Sequence, residues 1–246
     1  DGVVSDLSNK LSEMDFVQNQ TNDTMVFIQA SADYVRGSDK SAIVLLNSYM
    51  SRNRDDIAAI RMLVDLYLRN GNAREALELL DTHQPQIAGD VPLKMNLAHL
   101  YIANGKLYSA RKVLEELKTS VPSDNPYMLL LEAELLQAKD MPLEALRLLS
   151  IYSFEDEVPL NYTLLQGALE LQVGQLAQAR ERVELLKKTY PGNTRVLQFC
   201  ALTYLAVEDL SRASQCIRDG LETAPDNVEL RFTDAMLLKK RGEFGA

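Results

Sequence analysis

The side chains that most often carry chemistry are few in this chain, and they are scattered. Its 246 residues hold two histidines, His83 and His99, and two cysteines, Cys200 and Cys216. A zinc site needs several N, S or O ligands that converge, and it is usually announced by HExxH or paired-cysteine spacing. Neither histidine sits in such a pattern. His83 falls late in a candidate helix, where a cation-capable side chain suits the negative end of the helix dipole. His99 reads as a partly exposed polar residue. Two cysteines do not make a disulfide framework, and a pair of buried thiols packed as small hydrophobes is expected ahead of a disulfide between them. The glycines are spread singly rather than gathered into a phosphate loop, and no GxSxG elbow occurs. Glu155, Asp156 and Glu157 lie together in SFEDEVP. Paired carboxylates can do acid–base work, but a run of adjacent ones is expected to be a solvated loop. The reading is a non-enzyme with no metal and no cofactor.

The bulk composition narrows the remaining classes. The apolar fraction is 46% and the charged fraction 25%, enough apolar surface for a packed core. Leu and Ala dominate, which favours helices. The net charge of −9 opposes nucleic-acid binding, because that binding rests on Lys and Arg displacing counterions from phosphates. No stretch reaches the ~20 apolar residues that span a bilayer, so no direct membrane insertion is expected in this segment. No leader peptide is visible. The chain opens on Asp1 rather than Met, so a missing leader says little about its parent.

The elements that must position any site emerge from an internal repeat. Ala42, Ala76, Ala110, Ala145, Ala179 and Ala213 recur in similar surroundings at spacings of 34, 34, 35, 34 and 34. Five residues before them stand Gly37, Gly71, Gly105, Asp140 and Gly174. Glu208 interrupts the series, and Gly242 resumes it. Pro122, Pro191 and Pro225 follow three of the alanines. Gly adopts the left-handed backbone that closes a helix, a small Ala lets two helices approach closely, and Pro fits the loop that opens the next helix. Each repeat therefore predicts two helices and a tight turn. The first, or A, helices are expected near 23–36, 57–69, 91–103, 126–138, 160–172, 194–206 and 228–240. The second, or B, helices are expected near 39–52, 73–86, 107–119, 142–152, 176–189 and 210–223. Apolar residues recur at helical spacing, as in Ile60, Leu63, Val64 and Tyr67. One helix pair cannot bury its apolar faces alone, but stacked neighbours can.

This pattern resembles the tetratricopeptide repeat (TPR) family. The residues that carry the resemblance are a small residue in mid-helix A, an aromatic three residues on, the turn Gly, the B-helix Ala and a following Pro. Ala98, Tyr101, Gly105, Ala110 and Pro122 follow it in full. Val64, Tyr67, Gly71 and Ala76 follow it with a larger first residue. Gly167, Gly174, Ala179 and Pro191 follow it with Glu170 where the aromatic belongs. Ala201, Tyr204, Ala213 and Pro225 follow it without the turn Gly. The family's early Trp is missing throughout. The pentatricopeptide repeat has a similar period but reads RNA in strongly basic chains, which the acidic balance disfavours. The resemblance implies an all-α, right-handed α-solenoid of about six and a half repeats over residues 23–246. The repeats fall near 23–56, 57–90, 91–124, 126–159, 160–193, 194–227 and a partial 228–246. Residues 1–22 then hold an N-terminal helix, with Val3, Val4, Leu7, Leu11 and Met14 on one stripe and Ser8 near the Ala slot. It is either the B-helix of a preceding repeat or a cap, and the array is expected to be a piece of a longer solenoid.

The resemblance also implies the function: holding a partner peptide or protein on the concave face lined by A-helices. Carried over position by position, that groove comprises Arg61, Asp65, Arg69, Met95, His99, Tyr127, Leu130, Glu134, Asn161, Leu164, Arg195, Gln198 and Leu202. The leucines read equally well as inter-helix packing. No repeat carries the Lys/Asn pair with which chaperone-binding TPR domains clamp a C-terminal carboxylate, so that class is not expected. Stretches such as IRMLVDLYLRNGNAREALELLD are similar to long bacterial envelope TPR proteins, including TPR lipoproteins associated with exosortase sorting and exopolysaccharide export. That likeness implies a periplasmic, membrane-tethered parent. Two further readings stand beside it: a TPR arm of a larger enzyme, and self-association through open repeat ends.

Overall fold

The computed structural model describes residues 22–151 and 158–242. The stripe expected over 3–16, the acidic run Glu155–Glu157 and residues 243–246 lie outside the described residues. Within them every regular element is an α-helix: α1 (22–36), α2 (Asp39–Met50), α3 (Ile57–Arg69), α4 (Ala73–Thr82), α5 (Val91–Ala103), α6 (Leu107–Leu117), α7 (Pro126–Ala138), α8 (Pro142–Ile151), α9 (Leu160–Gln172), α10 (Leu176–Thr189), α11 (Thr194–Ala206), α12 (Leu210–Thr223) and α13 (Val228–Arg241). Odd-numbered helices are the A-helices and even-numbered ones the B-helices of an all-α solenoid. The chain divides into two compact units, residues 1–101 and 102–246.

The A-helices start where an Asx side chain caps them. Asp56 accepts from the amides of Ala58 and Ala59, Asn125 from those of Tyr127 and Met128, and Asn193 from those of Arg195 and Val196. Asp90 accepts from Leu93 N at 3.1 Å, and Asn227 from Leu230 N at 2.9 Å. Such caps satisfy amides that the first turn leaves open. In the series Pro159 stands at the equivalent place before α9, with no side-chain cap. The B-helices α2, α4 and α6 stop short of their expected ends. In α4 the cause is Pro85, which has no N–H to donate and collides with the preceding turn, so the helix ends at Thr82 rather than 86. The one-residue slip in the period lies between α6 and α7, in the loop that carries Pro122.

The turn between A- and B-helix is left-handed even where Gly is absent. Gly37, Gly71, Gly105, Gly174 and Gly242 have φ between 70° and 81°, and Asp140 and Glu208 sit at 60° and 62°. The amide after each turn residue reaches back to close the helix: Met141 N to Leu136 O at 3.0 Å, and Asp209 N to Tyr204 O at 2.9 Å. Side chains other than Gly adopt this region at a cost, least for Asn and Asp. Glu208→Gly is therefore expected to raise stability by about 1 kcal/mol, and Asp140→Gly by less. Urea denaturation checks both; no gain at Glu208 would show that the turn carries no strain.

In the first unit α2 packs on α3 and α3 on α4. Its core includes Leu46, Ile60, Leu63, Leu66 and Leu80, none of them exposed. In the second unit each A-helix from α7 onward packs on its own B-helix where one follows, and α7, α9, α11 and α13 also pack on one another in sequence. One core cluster gathers Leu129, Leu130, Ala133, Leu146 and Leu149 with Tyr162 and Leu169. A second gathers Leu164, Val183, Val196, Phe199, Tyr204 and Ile217. The six marker alanines, Ala42 to Ala213, are all 0% exposed. At Gly167 a Cβ would stand 2.2 Å from Phe199 Cζ, so the small residue of the motif lets the Phe199 ring of α11 rest on the backbone of α9.

The cysteines correct the sequence reading. Cys200 and Cys216 form a disulfide between α11 and α12, with Cα atoms 6.0 Å apart and both residues buried. They are core positions on the facing sides of one helix pair, so the packing that buries them also brings the sulfurs together.

Candidate partner-binding face

The thirteen residues carried over to the groove fall into three groups: locked, buried and open. In the first unit Arg61, Asp65 and Arg69 are locked. Arg61 donates to Asp90 Oδ2 through Nε and NH2, at 2.6 Å each. Asp90 is buried and also caps α5. Asp65 accepts from the Tyr34 hydroxyl at 2.8 Å and pairs with Arg69 Nε at 3.2 Å. Arg69 reaches Asp39 at 3.2 Å and lies over the Tyr34 ring at 4.8 Å. Hydrogen bonding to Asp65 raises the Tyr34 pKa above its usual value. These charges join α1, α2 and α3, and Arg61 joins α3 to the start of α5. The exposed Arg69 pairs stabilise by about 0–1 kcal/mol each, so their role is register more than strength, whereas Arg61 answers a buried carboxylate. Met95 is half-buried and His99 exposed on α5.

In the second unit Leu130 and Leu164 are 9% and 8% exposed and belong to the core clusters. They are withdrawn from the face. The position that holds Arg61, Met95 and Gln198 elsewhere holds leucine here, and a leucine at that place folds onto the neighbouring helix rather than toward solvent. Glu134, Gln198 and Leu202 are half-buried; Asn161 and Arg195 are exposed. Tyr127 is 54% exposed.

Side-chain contacts show that these positions lie side by side on successive A-helices. Arg195 donates to Asn161 Oδ1, and Gln137 Nε2 donates to Gln172 Oε1 at 3.2 Å. Lys240 Nζ donates to the Leu205 carbonyl at 2.9 Å. The face therefore runs from α7 through α9 and α11 to α13. The sequence reading stopped it at α11. Continuing the same register by 34 residues from Gln198 and Leu202 reaches Phe232 and Met236, which are 68% and 40% exposed. Period alone would have found them. The outcome is a strip with apolar groups at both ends, Tyr127 and then Phe232 with Met236, and amide and guanidinium groups between. Large exposed aromatic and Met side chains are what adaptable protein contacts use.

Other chemistry is sparse on the described residues. No group of three or more His, Cys, Asp or Glu that could hold a metal occurs among them. No helix among them is long and apolar enough to cross a membrane.

A tetratricopeptide repeat family model matches residues 40–92. No curated protein sequence matches the chain. Among solved structures, a tetratricopeptide repeat protein from Parabacteroides merdae superposes with a TM-score of 0.64 at 16% identity, over 91% of this chain and 88% of that one. The APC/C hetero-tetramer Cut9–Hcn1 gives 0.67 at 13% identity, over 89% of this chain and 42% of that one. Pseudomonas aeruginosa pilF gives 0.58 at 14% identity, over 88% and 98%. Identities this low establish shared fold alone. The chain thus has the fold of a tetratricopeptide-repeat α-solenoid, and residues 40–92 match the repeat family itself.

Proposed function

We propose that the chain is a non-catalytic scaffold that holds a partner polypeptide along the A-helix face of its second unit. The observation that carries this reading is the strip from Tyr127 to Met236: exposed apolar anchors at its ends and Asn161, Arg195 and Gln198 between them. An extended segment would seat apolar side chains at Tyr127 and Phe232 and offer backbone carbonyls or a carboxylate to Arg195. In the first unit Arg61, Asp65 and Arg69 are engaged by neighbouring side chains, which leaves them less available to a partner.

A peptide selected against the wild-type chain from a random library tests this. Tyr127→Ala with Phe232→Ala removes two exposed anchors and leaves the core untouched, so affinity is expected to fall about tenfold or more with unchanged helicity and Tm. Equal affinity would exclude the face.

The finer form of the proposal is a place in a bacterial envelope assembly for secretion, sorting or polysaccharide export. Its support is the buried Cys200–Cys216 disulfide, since such bonds persist in oxidising compartments and are rare in the cytosol. Thiol counting in denaturant on protein taken from its native cells is expected to find no free thiol until a reductant is added. Two free thiols without reductant would contradict the compartment.

A further inference from the structure

One position in the repeat has an internal template for what it binds. The aromatic slot of the A-helix is filled by Tyr67, Tyr101 and Tyr204, and each hydroxyl meets a polar side chain twenty residues earlier, on the preceding B-helix. Tyr67 shares hydrogen bonds of 3.1 and 3.3 Å with Asn47. Tyr101 donates to Asp81, and Tyr204 to Glu184. The Tyr101 hydroxyl also accepts from Gln84 Nε2 at 3.0 Å. Burial, then the carboxylate, pushes the Tyr101 and Tyr204 phenols up, so they stay protonated donors.

On α7 the slot holds Leu136. The polar end of the slot is nevertheless kept. Allowing for the one-residue slip before α7, Glu115 stands where Asp81 and Glu184 stand, and Lys118 stands where Gln84 stands. Lys118 Nζ lies 3.3 Å from Glu115 Oε1 and 3.0 Å from Glu132 Oε1. A leucine ends where the tyrosine ring would continue. At that place the second unit has a cleft of about 350 Å3, at the small end of ligand pockets. Leu114, Leu135 and Leu136 form its apolar floor, Glu115 and Lys118 line its polar end, and the partly exposed Met141 stands at its edge.

We infer that this cleft is a second binding site, which takes a tyrosine side chain supplied by a partner polypeptide where α3, α5 and α11 supply their own. The ring lies on Leu114, Leu135 and Leu136. The hydroxyl donates to Glu115 and accepts from Lys118, as the Tyr101 hydroxyl does with Asp81 and Gln84. The site is on the α6–α7 side of the second unit and uses no residue of the A-helix face, so its test is independent of the face.

The experiment is a methyl and amide NMR titration of the full chain with p-cresol, toluene and N-acetyl-tyrosinamide. Saturable shifts are expected at Leu135, Leu136 and Met141 for p-cresol and N-acetyl-tyrosinamide, with millimolar dissociation constants on the order set by so few atoms. Toluene is expected to bind several-fold more weakly, and Glu115→Ala to erase that difference. Leu136→Tyr is expected to fill the cleft, abolish the shifts and raise the Tm. The site is refuted by the absence of saturable shifts in the wild type, or by equal shifts in L136Y. Equal binding of toluene and p-cresol refutes the phenol. Binding of p-cresol without N-acetyl-tyrosinamide refutes a protein-borne tyrosine. Should L136Y not fold, the Glu115→Ala comparison decides alone, since that residue is exposed on α6.

Discussion

Gly167→Ala is expected to destabilise the second unit by about 3 kcal/mol, the upper part of the range for forcing a carbon into a packed core. The added Cβ would lie 2.2 Å from Phe199 Cζ and 2.9 Å from both flanking ring carbons. Nothing lets the ring give way easily, since Phe199 is 5% exposed and sits in the cluster with Leu164, Val196 and Cys200. The helix propensity of Ala, about 1 kcal/mol better than Gly, offsets only part of the clash. The Tm should fall by several degrees. Phe199→Leu alone should also destabilise, by opening space. Added to Gly167→Ala it should recover stability, because the overlap disappears. That non-additivity marks a direct contact. A Gly167→Ala variant as stable as wild type would mean that α9 and α11 do not meet through this ring.

Arg182→Ala is expected to cost about 3 kcal/mol or more, for a different reason. Glu170 is 3% exposed. Its carboxylate accepts from Arg182 Nε at 3.0 Å and NH2 at 2.6 Å. Deleting one partner of a buried pair leaves a charge that neither water nor another group compensates. Replacing both, as Glu170→Met with Arg182→Met, should come back close to wild type, because an apolar pair needs no desolvation. Urea denaturation of the three chains tests this. A single variant within about 0.5 kcal/mol of wild type, the usual scatter of surface changes, would show that the pair contributes little.

These two sites also show what the sequence could and could not tell. Gly167 was readable because the repeat asks for a small residue there at a fixed period. So were the turns, and even Asp140 and Glu208 keep the left-handed backbone that the glycines lead one to expect. Glu170 was readable only as an exception: the missing aromatic stood out, but its partner on α10 depends on how two helices are rotated against each other. Whether the two cysteines pair was not readable from the sequence, for the same reason. Leu130 and Leu164 share a repeat position with Arg61 and Gln198, and position alone does not say which side chains turn inward. Phe232 and Met236 were overlooked although the period reaches them. The tyrosine slot was legible as a series of aromatics, whereas the polar residues that receive their hydroxyls emerge only from the hydrogen bonds.

The central claim is that a partner segment lies along the A-helices of the second unit. Amide and methyl shift mapping with a bound, library-selected peptide measures this most directly. The perturbed residues are expected to form one strip through Tyr127, Asn161, Arg195, Gln198, Leu202, Phe232 and Met236, leaving the exposed sides of α10 and α12 unchanged. Perturbations confined to the B-helices, with that strip silent, would contradict the account.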